Sequence, residues 1–221
     1  MSDPDLTDLA VRCGEEVTYR QRHVIFTRGS WGDRLYIIRS GKVKITVSAS
    51  ETVQEGARRS DMEKLLALHG PSDVFGEAEV FAPGPRASTA TAVTGVRVVS
   101  IDRDALLGRI RVTPALAESM LGMLARQVRR ADAECTDLVL NDVPGRAAKA
   151  LLELATRFGY PEGGALRVVH DLAQEELAHY VGATRQATGE ALSSFARRGW
   201  LRVDGRSVLI LDSDRLQRRG R

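Results

Sequence analysis

Cysteine is nearly absent from this 221-residue chain. Cys13 and Cys135 are the only two, too few for a disulfide framework or a four-cysteine iron–sulfur cluster. No apolar run approaches the roughly 18 residues that cross a bilayer. The opening Met1-Ser-Asp-Pro-Asp is acidic where a secretory signal is basic, so a cytoplasmic protein with no membrane partner is expected. The four histidines, His23, His69, His170 and His179, are scattered without metal-ligand spacing, which leaves structural or surface roles and no metal site. There is no Walker-type loop, no Gly-X-Ser-X-Gly elbow and no His-Glu-X-X-His, so no catalytic constellation is offered and an enzyme is not expected. The net charge of +3 is mild and excludes an overall basic coat, but the arginines gather in the last quarter of the chain. Among them, Arg215, Arg218, Arg219 and Arg221 read as a solvated basic tail.

What is present suits two modest domains of an α+β protein, with ample apolar content for real cores. The stretch from Gln174 to Leu192 carries the strongest signal. Leu177, Ala178 and Val181 share one helical face, and Gly182 supplies a residue at ease with positive φ, which ends that helix. Thr184 is placed to cap a second helix whose buried stripe is Thr188, Ala191, Leu192 and Phe195. The opposite face holds Arg185, Gln186, Gly189 and Glu190. In a helix-turn-helix those residues enter the DNA major groove, where Arg suits guanine and Gln suits adenine. The bland alternative is a helical hairpin with a solvated polar face. The segment that follows favours the DNA reading: Arg197–Val203, Asp204-Gly205-Arg206 and Ser207–Leu211 read as strand, turn and strand, a wing whose Arg202 and Arg206 can reach phosphates.

From Val17 to Ile101 the pattern is one of short strands divided by glycine turns: Val24–Phe26, Arg34–Ile38, Lys42–Val47, Leu65–Leu68, Val74-Phe75 and the long run Ser88–Ile101. Such spacing predicts a β-roll or jelly roll. Ser48 to Glu63 is polar, charged and aperiodic, and reads as an extended exposed loop. The chemically loaded segment is Phe75 to Ala90. Gly76 lets backbone N–H groups approach a ligand, Glu77 suits sugar hydroxyls and Arg86 suits a phosphate, together a nucleotide cradle. A surface turn with a Glu77–Arg86 ion pair is the competing reading.

Ala117, Leu121, Leu124, Val128, Ala131, Cys135 and Leu138 recur at alternating four- and three-residue steps, the seam of a coiled coil about three heptads long. A homodimer through this helix is expected, with packing against the protein's own barrel as the alternative. Asn141-Asp142-Val143-Pro144-Gly145 then breaks the pattern as a hinge, and Arg146–Phe158 opens the next domain as a helix. The expected division is a sensor roll over 1–113, a dimerisation helix over 114–141 and a winged helix-turn-helix over 142–221.

These three parts in this order resemble the cyclic-AMP receptor protein (CRP/FNR) family of transcriptional regulators, in its actinobacterial form. The motifs that carry the resemblance are Gly32-Asp33-Arg34-Leu35-Tyr36, Gly41-Lys42-Val43-Lys44, Phe75-Gly76-Glu77, Pro83-Gly84-Pro85-Arg86, Asp142-Val143-Pro144-Gly145-Arg146 and Val181-Gly182-Ala183-Thr184-Arg185. The resemblance implies a dimer on palindromic double-stranded DNA, a sensor that takes cyclic AMP or another nucleotide, and RNA polymerase as a candidate partner. The departures are specific. Cyclic-AMP-binding members follow the phosphate arginine with Ser or Thr; here Arg86 is followed by Ala87, and Ser88 comes one position late, which on a strand is the other face. Where those members meet the adenine base with Thr and Ser or Asn, this chain has Ala131 and Asp132. An altered or absent cyclic-AMP response is therefore expected. Readers of TGTGA carry Arg-Glu and then Arg or Lys four residues after that Glu; here the positions are Arg185, Gln186 and Glu190, so a different operator is expected. Ala173 replaces a Ser/Thr helix cap. The alternatives are an ordinary cyclic-AMP-activated regulator, or a nucleotide-binding module that acts on a protein partner.

Overall fold

A computed structural model describes residues 13–48 and 63–220, so residues 49–62 of the expected exposed loop lie outside the described part. The described residues form two compact units, with Asp132 closing the first and Ala133 opening the last stretch of the second.

The first unit is the expected roll. Its strands are β1 (Glu15–Tyr19), β2 (Val24–Phe26), β3 (Trp31–Gly32), β4 (Arg34–Ser40), β5 (Val43–Ser48), β6 (Glu63–His69), β7 (Val74–Phe75), β8 (Gly84–Pro85), β9 (Thr89–Ala92) and β10 (Val96–Asp102). They make two four-stranded sheets, β1-β10-β4-β7 and β2-β9-β5-β6, and a small β3-β8 pair. In β4 the run Leu35-Tyr36-Ile37-Ile38 is buried throughout, because both faces of its sheet are covered. Tyr36 and Ile38 face inward with Val43, Ile45, Phe75, Ala90, Val96 and Val98. Leu35 and Ile37 share the other face with Val99 and Ile101, under Val80, Leu106, Leu116 and Met120. Those last four come from three helices, α1 (Ala78–Phe81), α2 (Arg103–Val112) and the start of α3 (Pro114–Leu140).

Two differences from the sequence reading matter. The run Ser88–Ile101 is not one strand, because Val93–Gly95 turns between β9 and β10. Arg86, Ala87 and Ser88 precede β9 in a bend, so the alternation of strand faces does not decide where Ala87 and Ser88 point.

In α3 the roll-facing residues are Leu116 and Met120, with Met123 partly buried beside them. The heptad stripe lies roughly a quarter of a turn away. Leu121, Val128 and Leu138 are 66%, 61% and 50% exposed; Ala131 and Cys135 are exposed and Leu124 is half-buried. The roll thus takes a different face of the helix from the seam.

The second unit contains α4 (Val143–Phe158), β11 (Gly159–Glu162), β12 (Ala165–Val169), α5 (Gln174–Val181), α6 (Arg185–Arg197), β13 (Leu201–Asp204), β14 (Ser207–Ile210) and α7 (Ser213–Arg219). Asp142 caps α4 by accepting from the Gly145 N–H at 3.0 Å. The helix therefore starts at Val143, earlier than expected: Pro144 sits in the first turn, where its missing N–H costs nothing, and the hinge shrinks to Asn141-Asp142. The wing is part of an antiparallel sheet ordered β11-β12-β14-β13, whose first two strands the sequence reading did not assign. Pro161 is tolerated there because β11 is an edge strand. Arg197 belongs to α6 and the wing strand begins at Leu201. Of the expected basic tail, Arg215, Arg218 and Arg219 lie in α7, with Leu216 fully buried and Arg219 donating to Asp142 at 2.5 Å, while Arg221 lies outside the described residues. Among the described residues no helix is long and apolar enough to cross a membrane and no cluster of metal ligands occurs.

Candidate nucleic-acid interface and sensor pocket

The helix-turn-helix is built as its residues dictate. Leu177, Ala178 and Val181 are buried, and Gly182 ends α5 with φ +71°, where any side chain would be strained. Its turn is closed by Ala183 N–H donating to the Ala178 carbonyl at 3.0 Å. Alanine at 173 has no acceptor to cap α5, so only half of a capping box exists: Glu176 accepts from the Ala173 N–H at 2.7 Å. Thr184 accepts from the Ala187 N–H at 3.2 Å and starts α6. The four predicted stripe residues, Thr188, Ala191, Leu192 and Phe195, are buried. Arg185, Gln186, Gly189 and Glu190 are exposed together on the other side.

Arg185, Gly189, Ser193 and Arg202 line a groove of about 540 Å³ between α6 and the wing strand β13. Gln174, which the sequence reading passed over, also lines it and accepts from Arg185 at 3.5 Å; its only signal is its place in the first turn of α5. Within the reading face the Gln186 amide nitrogen donates to Glu190 at 3.0 Å. Arg206 is exposed at the wing turn. The wing is braced from behind by Arg167, which donates to Glu162 at 2.6 Å, Asp204 at 2.8 Å and Ser207 at 3.2 Å. Its hydrogen bond to Glu162 holds that carboxyl below the usual range. The bond to Asp204 offsets the charge of an acid close in sequence to Arg206.

Arg146 ties this unit together. Its guanidinium donates to the carbonyls of Asn141 at 2.8 Å, Val181 at 3.2 Å and Gly182 at 3.0 Å, joining the hinge to the end of α5.

In the first unit Arg86 lies against Gly76, but its ion pair is not the one that spacing suggests. Arg86 is 3% exposed. It pairs with Glu79 at 2.7 Å, not with Glu77, and donates to the carbonyls of Gly76 at 2.8 Å and Arg34 at 2.7 Å. Its guanidinium lies 4.2 Å from the centre of the Phe26 ring, which packs with Tyr36 and Phe75; burial pushes the Tyr36 hydroxyl pKa up. Glu77 is buried. Removing one partner of so buried a pair strands the other charge, at about 3–5 kcal/mol. Ala87 is exposed and Ser88 half-buried. Asp132 is exposed on α3. Glu79 had no assigned role in the sequence; its one signal was an acid inside the apolar run Ala78-Glu79-Val80-Phe81.

The family model described as a cyclic nucleotide-binding domain matches residues 16–111, and that of a Crp-like helix-turn-helix domain matches residues 145–219. A CRP-like cAMP-activated global transcriptional regulator of Mycobacterium tuberculosis is 53% identical over 208 residues, covering 94% of this chain and 88% of the relative. The cyclic AMP receptor protein of Thermus thermophilus is 29% identical over 97% of this chain and 92% of its own length. Among solved structures, FixK2 from Bradyrhizobium japonicum shares the fold with a TM-score of 0.79 at 23% identity, over 93% of this chain and 96% of that one.

Proposed function

The chain belongs to the CRP/FNR family of DNA-binding transcriptional regulators, and from that premise we propose that it works as a cytoplasmic homodimer on a palindromic operator other than TGTGA, with a weakened or absent response to cyclic AMP. The observation that carries the operator reading is the exposed row Arg185, Gln186, Gly189 and Glu190 beside a wing bearing Arg202 and Arg206. Arg185 reads guanine, while Thr184, Arg202 and Arg206 hold phosphates and set the register. The Gln186 amide has two N–H donors, so one can stay on Glu190 while the other, with the amide oxygen, reads adenine bidentately; Glu190 thus orients that amide and puts a negative charge on the reading face. The seam Leu121, Leu124, Val128, Ala131, Cys135 and Leu138 pairs two protomers, supported by its exposure away from the roll. Two recognition helices then meet half-sites about one helical turn apart. RNA polymerase is the partner through which bound DNA is read out. Gly76, Glu77 and Arg86 form the outline of an effector cradle; Ala87, Ala131 and Asp132 supply fewer contacts to a cyclic nucleotide.

Selection from a random duplex library, followed by gel shift, tests this. A palindrome whose half-site departs from TGTGA is expected, with affinity that falls steeply with salt through counterion release. Recovery of no palindrome, together with Arg185→Ala binding as tightly as the unaltered chain, overturns it.

A further inference from the structure

We propose that Glu79 is a built-in anion that fills the phosphate seat of the sensor domain, so that the cradle is complete without a nucleotide and a cyclic nucleotide enters only by displacing this side chain. The inference rests on the reading of Gly76–Arg86 as the effector cradle. A cyclic phosphodiester carries one negative charge and needs donors for its two free oxygens. The donors this segment offers are the Arg86 guanidinium and the backbone N–H that follows it. Both already end on Glu79: Arg86 donates to Oε2 at 2.7 Å and the Ala87 N–H donates to Oε1 at 3.1 Å. A carboxylate bridging a guanidinium and a backbone N–H presents two oxygens and one charge, as the phosphodiester would.

The surroundings are shaped to this arrangement. A Cβ on Gly32 would come within 2.7 Å of Arg86 Nε and 2.8 Å of Glu79 Cβ, so the absence of a side chain there lets the pair close. Gly76 and Arg34 carbonyls take two further N–H directions of Arg86, and the Phe26 ring covers the guanidinium face. Of the Arg86 side-chain nitrogens, Nε is the one buried without a partner. The pair is nearly sealed, with side chains 3% and 10% exposed, so Arg86 keeps little freedom to turn toward a second anion. A phosphate brought to Arg86 with Glu79 in place would set like charges side by side at low dielectric, which is unfavourable. The residues present therefore fit a cyclic nucleotide poorly as they stand, and the misfit sits on one side chain.

Titration calorimetry of the full chain with cyclic AMP and cyclic GMP tests the proposal, comparing the unaltered protein with Glu79→Ala and the near-isosteric Glu79→Gln. The unaltered chain is expected to bind neither below millimolar concentration. The variants are expected to bind at least one about 10- to 100-fold more tightly, the size of one recovered charge-assisted hydrogen bond, and Arg86→Ala added to Glu79→Gln is expected to erase the gain. The unaltered chain also reports without substitution: its ¹⁵N-labelled Arg86 Nε signal is expected to stay unshifted by micromolar cyclic AMP, and a shift at that concentration overturns the proposal. Variants that bind no more tightly than the unaltered chain overturn the role of Glu79 and leave the altered response standing. A micromolar dissociation constant for the unaltered chain overturns both.

Discussion

Replacing Arg146 by alanine should loosen the DNA-binding unit. The guanidinium makes three hydrogen bonds to main-chain carbonyls of Asn141, Val181 and Gly182, and two of those acceptors stand at the end of α5. A net contribution of about 1 kcal/mol per bond sums to roughly 3 kcal/mol. Half-burial of Arg146 lets water reach part of the site and trims that to about 2–3 kcal/mol. For a unit of this size that is a fall in Tm of about 10–20 °C, at roughly 4–8 °C per kcal/mol. Trp200, stacked on Phe195 at 5.4 Å, provides the probe: in a Trp31→Phe background its fluorescence follows urea unfolding of this unit alone. Arg146→Lys keeps the charge but not the fork, and should recover less than half of the loss. DNA affinity should fall with the stability, because the carbonyls that Arg146 holds set the turn leading into α6. An unfolding free energy within about 0.5 kcal/mol of the unaltered chain, the ordinary scatter of surface changes, would show that the three bonds are not a unit and refute the reasoning.

Arg185→Ala should cost about 1–3 kcal/mol on the selected operator and relax preference at one base pair, measured by gel shift against base-substituted duplexes. Glu190→Ala should weaken the preference for adenine at the Gln186 position by releasing the amide that Glu190 orients, read in the same assay; an unchanged preference would mean that Glu190 does not set the Gln186 contact. Leu121→Asp with Val128→Asp should give monomers in sedimentation equilibrium while leaving the circular dichroism unchanged, since neither side chain packs on the roll; a persistent dimer places the interface elsewhere. Asp142 is held below its ordinary value of 3.8, first by the Arg219 hydrogen bond and then by the Gly145 N–H. Its contribution is therefore full above pH 4 and lost as the pH falls through the depressed value. Asp142→Ala should destabilise by about 1 kcal/mol at pH 7, the worth of an N-cap, and the gap to the unaltered chain should close on acidification; a gap that does not depend on pH would assign the effect to something other than the carboxylate.

Local signals carried much of the reading. Gly182, Thr184 and the stripe Thr188, Ala191, Leu192 and Phe195 speak through neighbours within one or two turns, where side-chain spacing alone decides which face is apolar, and the structure places each as expected. The roll strands were legible for the same reason. What stayed hidden depends on partners far along the chain. Gly163-Gly164 before the run Ala165–Val169 marks the β11–β12 hairpin locally, but its place beside the wing rests on Leu166 and Val168 pairing with Ile210 and Val208. The basic end of the chain became α7 because Leu216 finds a buried place and Arg219 finds Asp142, 77 residues earlier.

Sequence alone determined the order of the parts, the helix-turn-helix and the residues exposed on its second helix, because hydrophobic period and turn chemistry are local properties. Only the tertiary structure decided which acid meets Arg86. Glu77 and Glu79 are both near in sequence, and the choice between them rests on the short helix α1, whose turn buries Val80 and carries Glu79 onto the guanidinium. Spacing counts residues and cannot see that turn, so the group that fills the sensor pocket was named by geometry.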